Sequence, residues 1–355
     1  MLGFLIMTAH LYLTGVTLTH VLPDPGASVT AAVPRGEPAH LDLLFAGSVF
    51  CDLVFAGVPV PEPGAEVYAD AFKLTPGGVA NRAVAGSRMG ARTALLSQLG
   101  DDPLGLHMVA LLSAEPDLDL SWLRCTPGFQ SPITVSLTRV HEREFITYQE
   151  DADALEWPAD RPRVGATHVS MERDLPDWVA RLREQGTVVY GGVGWDSSGM
   201  WSGEVLGRLD QIDVFVPNDV EAMRYTQTDD AYAAARELGR YVELAVVTRG
   251  AYGAIAYERS TGQLTEVPSV KVTAIDPTGA GDVFVATFMA SGVLDWPIEE
   301  RLRLAALSAS LSVRTLGGAA SAPHPCDLTR FLTDESPPGD WSTIRSWAAT
   351  RAHKH

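Results

Sequence analysis

From residue 41 onward the chain repeats one rhythm: a short apolar run, a small or polar residue that ends it, then a stretch with helical spacing. Apolar runs over 41–49, 93–98, 167–171, 188–190, 214–216, 244–248 and 254–257 predict strands, with helices between most of them. Strands that alternate with helices pair in parallel, because each crossover helix returns the chain to the same end of the sheet and covers a face. Ligands of such sheets gather at the carboxyl ends of the strands. Asp52, Asn218, Thr248 and Asp282 are expected at or just past those ends, with Asp52 beyond the strand that closes at Gly47 and 53–60 continuing in strand character. One segment breaks the rhythm. Residues 133–140 alternate apolar side chains with Thr and Ser, and 145–148 resume after His141-Glu142-Arg143-Glu144, which predicts a polar-faced hairpin standing off the sheet as a lid. With 355 residues and 46% hydrophobic content, one large α/β domain or two medium ones are within reach.

The stretch Asp276-Pro277-Thr278-Gly279-Ala280-Gly281-Asp282-Val283-Phe284 concentrates the chemistry. A strand over 270–275 is expected to stop at Asp276, since the residue before proline is driven out of the helical region. The apolar run 283–294 is too long for a strand and predicts a buried helix. Between them, two glycines and an alanine leave amides uncovered at the helix start, an anion site made of unsatisfied N–H groups and the positive helix end. Asp282 sits on it. A carboxylate there also stabilises a first turn, by about 0.3–1 kcal/mol. A cap, however, needs no run of bare amides, whereas moving a phosphoryl group onto a hydroxyl needs both an anion cradle and an adjacent base.

Other motifs each admit two readings. Gly77-Gly78-Val79-Ala80-Asn81 opens a small-residue helix closed by Gly90; the paired glycines allow close approach of either a ligand or a neighbouring strand, and Asn81 could offer its amide to a hydroxyl-rich ligand. Asn218-x-x-Glu221 follows a strand and opens a helix, which suits Mg²⁺ shared with phosphates, or equally an N-cap with an acidic first turn. Gly250 and Gly253 flank a tight connection that a plain hairpin turn would also explain. The dinucleotide fingerprint fails: Phe284 occupies its third glycine position, and Glu299 follows Pro297 at a helix start. No G-x-x-x-x-G-K-[ST], H-R-D or D-F-G occurs, so phosphoryl transfer must rest on backbone amides, Mg²⁺ and an aspartate base.

Charge narrows the partners. A net charge of −17 argues against nucleic acid and anionic membrane. Cys51, Cys125 and Cys326 form neither a metal spacing nor an even framework, which fits a reducing cytoplasm. Residues 1–21 are apolar but lack a basic start and are interrupted by His10, Thr14 and Thr17, a poor signal peptide and too mixed to span a bilayer. Met7 could be the true start, and 22–40 read as a loose connection.

The ordered set Gly47 with Asp52, Gly77–Asn81 through Gly100-Asp101-Asp102-Pro103-Leu104-Gly105, Asn218-x-x-Glu221, Thr248-Arg249-Gly250-x-x-Gly253 and Asp276–Asp282 resembles the ribokinase/PfkB carbohydrate kinase family. The resemblance covers roughly 41–330, leaving 1–40 as a partly unordered extension and 331–355 as a tail. It implies a ribokinase-like three-layer α/β/α domain with a mainly parallel central sheet and a small β-sheet lid, with lid strands near 48–70 and 130–150. It further implies an ATP-dependent kinase of a sugar or nucleoside hydroxymethyl group. Asp282 would be the base, and the amides of Gly279, Ala280, Gly281 and Asp282 the anion hole. Asn218 and Glu221 would manage Mg²⁺ and phosphate, Thr248, Gly250 and Gly253 would border the nucleotide, and Asp52, Gly78 and Asn81 would hold sugar hydroxyls. A monovalent cation such as K⁺ is expected at Asp276, Thr278, Gly317 and Ser321, and a homodimer through the lid. Gly191-Gly192-Val193-Gly194-Trp195-Asp196 departs from the family's form, and no residue is carried across there. The rival readings are a nucleoside kinase, which needs an apolar slot beside Asp52 from residues such as Phe50, Phe145 and Tyr148, and a catalytically silent sugar sensor.

Overall fold

The computed structural model describes residues 40–351 apart from 61, 63, 139–142, 159–161, 197 and 295, so the N-terminal extension lies outside the described residues. In chain order the strands and helices are β1 (Leu41–Ala46), β2 (Val49–Ala56), β3 (Ala71–Gly78), α1 (Val79–Arg88), β4 (Thr93–Gly100), α2 (Pro103–Leu112), β5 (Leu118–Asp119), β6 (Leu123–Thr126), β7 (Ile133–Thr138) and β8 (Arg143–Tyr148). They continue as β9 (Val164–Ser170), α3 (Asp177–Glu184), β10 (Val188–Gly192), α4 (Glu204–Gly207), β11 (Val214–Phe215), α5 (Asp219–Thr226), α6 (Ala231–Leu238), β12 (Leu244–Thr248), β13 (Ala254–Glu258) and β14 (Gln263–Val267). Four helices close the chain: α7 (Ala280–Ala290), α8 (Ile298–Ser312), α9 (Pro325–Asp334) and α10 (Ser342–Arg351).

The main sheet runs β14-β13-β12-β11-β10-β9-β1-β4-β5, with β6 also beside β4. Pairings from β12 to β5 are parallel, and only β13 and β14 run antiparallel at one edge. Strand periodicity explains why this sheet is buried on both sides. Leu43 and Phe45 of β1 join the cluster built with α1, α7, α8, α9 and α10, while Leu44 joins the one built with α3, α5 and α6. Strand β12 divides in the same way, Val246 to the first and Ala245 and Val247 to the second. The result is the three-layer arrangement with a mainly parallel sheet.

Four strands, β3-β2-β7-β8, form a separate small sheet. The polar hairpin is β7–β8, antiparallel, with its turn outside the described residues. Several boundaries depart from the sequence reading. Strand β2 lies in this lid, within the 48–70 expected for a lid strand, so Asp52 sits inside a lid strand, opposite Thr75 and Thr134, and not at or past a main-sheet end as its position after Gly47 suggested. Its antiparallel partner begins at Ala71 and carries Gly77 and Gly78 within it, so the second lid strand lies beyond 70. Residues 270–275 form no strand, and the amides at the two ends of the segment are taken elsewhere: Val270 donates to Ser310 Oγ at 3.3 Å, and Ile275 to the Val313 carbonyl at 2.7 Å. The edge strand is β14 instead. The tail is core as far as Arg351, with Phe331, Leu332, Ile344 and Trp347 buried in the first cluster. No helix among the described residues is long and apolar enough to cross a membrane.

Candidate active site

The N-termini of α1 and α7 face one another, and glycines let them approach. Gly78 caps α1 at φ 61°, where a Cβ would lie 2.4 Å from the Ser48 carbonyl oxygen. Gly279 caps α7 at φ 76°, and a Cβ there would stand 3.0 Å from Gly318 Cα and 3.4 Å from Asn81 Nδ2. Across the gap, Asn81 Nδ2 donates to Asp282 Oδ2 at 3.1 Å and Arg82 Nη1 to Asp282 Oδ1 at 2.5 Å. Asn81 Oδ1 and Arg82 Nε are buried without a hydrogen-bond partner among the described residues.

The first turn of α7 is open. Val283 N donates to Gly279 O at 2.9 Å, as a helix requires, and Ala280 N reaches Pro277 O at 3.3 Å. Among the described residues the amides of Gly279, Gly281 and Asp282 have no backbone partner of this kind, and of the four expected donors only Ala280 is engaged there. A Cβ at Gly281 would meet nothing within 4 Å. This turn borders a cavity of about 640 Å³, lined also by Thr248, Gly250, Gly253, Val272 and Phe284. Gly250 and Gly253 hold φ 51° and 91° around a short 3₁₀ turn, and a Cβ on Gly253 would lie 2.0 Å from the Val267 carbonyl oxygen. The tight connection is therefore one wall of a cavity whose other wall is the helix start.

Asn218 and Glu221 form a full capping box on α5: Glu221 N donates to Asn218 Oδ1 and Asn218 N to Glu221 Oε2, each at 2.9 Å. Asn218 pairs with Thr248 as an isolated parallel bridge, which puts the box beside the cavity wall without lining it. Glu221 is buried, and that burial raises its carboxyl pKa, with Glu172 and Asp219 adding to the effect. A nearby cation would relieve this cost.

Asp52 carries a strong electrostatic consequence. It is 8% exposed, and burial, reinforced by the charges of Asp282 and Asp276, pushes its pKa from 3.8 up to about 7. Below 3.8 both folded and unfolded chains hold this proton, so its stabilising contribution is complete. As pH rises toward 7 the unfolded chain releases the proton first, and the contribution is lost. Asp52→Asn is expected to flatten the fall in Tm across that window and to raise Tm above it. Thermal unfolding of both proteins against pH checks this, and an unchanged slope would refute it.

Gly317 and Ser321 lie beside the same helix start. Asp276, 1% exposed, accepts from Thr278 N at 2.9 Å and from Gly317 N at 3.0 Å, while Ser321 Oγ donates to Gly318 O at 2.6 Å. The sequence reading missed Arg82, although it directly follows Asn81, and Lys73, whose ammonium donates to Leu316 O at 2.8 Å. It also missed a second cavity, of about 350 Å³, lined by Gly47, Ser48, Gln98, Gln149, Asp153 and Arg173 among others; Asp52, Gly78 and Asn81 do not line it.

Comparison with known proteins gives a consistent neighbourhood. The family described as pfkB family carbohydrate kinase matches residues 42–325. A deoxyribokinase of Salmonella typhi is 26% identical over 313 residues, covering 82% of this chain and 99% of the relative. A fructokinase of Klebsiella pneumoniae is 30% identical over 285 residues, covering 72% of this chain and 92% of the relative. The solved structure of Arabidopsis thaliana ribokinase complexed with ribose and ATP superposes with a TM-score of 0.67 at 23% identity, covering 83% of this chain and 99% of that one.

Proposed function

The chain belongs to the pfkB family of carbohydrate kinases, and from that premise we propose that it transfers the γ-phosphoryl group of ATP to a primary hydroxyl of a small sugar, with Asp282 as base. The observation that carries the reading is the open first turn of α7 next to Asp282 and over the 640 Å³ cavity. Phosphoryl transfer asks little covalent chemistry of a protein and depends on positioning and charge stabilisation. Here Asp282 takes the acceptor proton while that oxygen forms its bond to the γ-phosphorus; the bond to the β-phosphate oxygen breaks, and ADP leaves. The amides of Gly279, Gly281 and Asp282 steady the phosphoryl oxygens, and Arg82, already on the base at 2.5 Å, adds positive charge beside them. Thr248, Gly250 and Gly253 border the nucleotide. Asn81 and Asp52 hold acceptor hydroxyls, and the buried, unpartnered Asn81 Oδ1 is suited to one. Gly78 permits the close approach.

Mg²⁺ neutralises the phosphate oxygens when bound. Among the described residues no group of three or more His, Cys, Asp or Glu converges on a metal site. Glu221 would hold this ion, which usually keeps several waters and shares substrate phosphates. Because glutamine also serves at the third position of a capping box, Glu221→Gln keeps α5 capped and removes only the charge. The Mg²⁺ concentration for half-maximal rate is expected to rise about 10–100-fold; an unchanged Mg²⁺ titration would remove Glu221 from this role.

A sugar fits better than a nucleoside. Phe50 is packed over Gly78, where a Cβ would meet its ring at 2.6 Å, while Phe145 and Tyr148 are 55% and 53% exposed on the outer lid strand, and so close no slot over a base. Those exposed rings, with Phe72, suit a homodimer through the lid. The deciding experiment is ADP release across a panel of sugars, sugar acids and nucleosides. Folded protein that turns over none of them would favour the silent sensor.

A further inference from the structure

The residues expected to hold a monovalent cation do not fit a bare ion, and we infer that the Lys73 ammonium stands in its place, as the fixed positive charge beside the anion loop. The inference deepens the kinase reading and rests on it. K⁺ is held by oxygen ligands, typically carbonyls that replace its water. Around Asp276 those oxygens already accept hydrogen bonds, and at Leu316 the donor is itself a cation, which a second cation would meet at contact range. The Leu316 carbonyl accepts from Lys73 Nζ at 2.8 Å, the Gly318 carbonyl from Ser321 Oγ at 2.6 Å, and both Asp276 oxygens from backbone amides. The lysine stem also fills the approach to Gly317, where a Cβ would lie 2.8 Å from Lys73 Cδ and 3.2 Å from Cε. Burial and then the Arg88 charge lower the Lys73 pKa, and the field of the buried Asp276 opposes that shift and favours the ammonium.

An ammonium matches K⁺ in charge and closely in size, but it is tethered. Lys73 belongs to the lid strand β3, and the carbonyl it grips precedes Gly317 and Gly318, the latter in contact range of Gly279 at the mouth of the anion hole. The lid and the start of α7 are thus joined through one side chain. Lys73 is a positioning residue: it acts on the transferred phosphoryl group through the 316–318 backbone, and turnover needs no added monovalent cation.

The test compares the full chain and Lys73→Met in KCl, NaCl and tetramethylammonium chloride at equal ionic strength, reading Tm without substrates. The parent protein is expected to show one Tm in all three salts. Lys73→Met, with the competing charge removed and the Leu316 carbonyl freed, is expected to gain about 2 °C or more in K⁺ alone. A K⁺-specific rise in the parent protein, or no K⁺-specific rise in the variant, would overturn the inference. Because Tm requires no acceptor, either result leaves the kinase reading untouched. Where an acceptor is in hand, Lys73→Met is expected to lose about 10²-fold in kcat in tetramethylammonium and to recover in K⁺.

Discussion

Asp282→Asn is expected to lower kcat by about 10²–10⁴, the contribution of a positioned general base. The substitution preserves volume: its amide oxygen can keep the Arg82 bond, and its NH₂ can donate to Asn81 Oδ1 once that amide turns over, so the α1–α7 junction keeps its contacts. Folding should barely respond. Side chains of the Arg82–Asp282 pair are 23% and 24% exposed, and partly solvated pairs of this kind contribute about 0–1 kcal/mol. Steady-state kinetics with an acceptor found in the panel, beside thermal unfolding of both proteins, separates the effects. A folded variant with near-normal kcat would remove Asp282 from the base role.

Gly279→Ala is expected to cost about 10²–10³ in kcat, the loss typical of a displaced anion-hole donor. The cause is backbone geometry. A non-glycine residue at φ 76° pays about 1–2 kcal/mol, and the new methyl would press on Gly318 Cα at 3.0 Å, so the start of α7 must shift. Gly281→Ala supplies the contrast: its Cβ would enter open space, so Tm should hold while KM for ATP rises if phosphate approaches there. Equal kinetics in parent protein and Gly279→Ala would show that this turn does not hold the transferred group.

What was legible in the sequence depended on range. Local signals were enough for the strand and helix rhythm, since Leu43, Leu44 and Phe45 are hydrophobic whichever cluster each enters. The capping box at Asn218 and Glu221 was legible too, because its two bonds span three residues. The glycine-opened starts of α1 and α7 declared themselves because positive φ and close approach leave no other residue type. Strand partnership was harder. The pattern at 49–56 is the same in a lid as in a main sheet, and 270–275 looks like a strand until Ser310 of α8 and the Val313 carbonyl just after it take the amides at its two ends.

By itself the sequence determined a mainly parallel sheet covered on both faces, and an acidic residue set on bare amides at a late helix start, because both follow from neighbours within a few residues. Only the tertiary structure decided that Arg82 grips that acid from 200 residues away and that Lys73 reaches a carbonyl 243 residues distant. Those contacts are made by side chains whose local sequence is indifferent to them, and only the folding of α1 and the lid against α7 and the 316–318 loop brings the charges together.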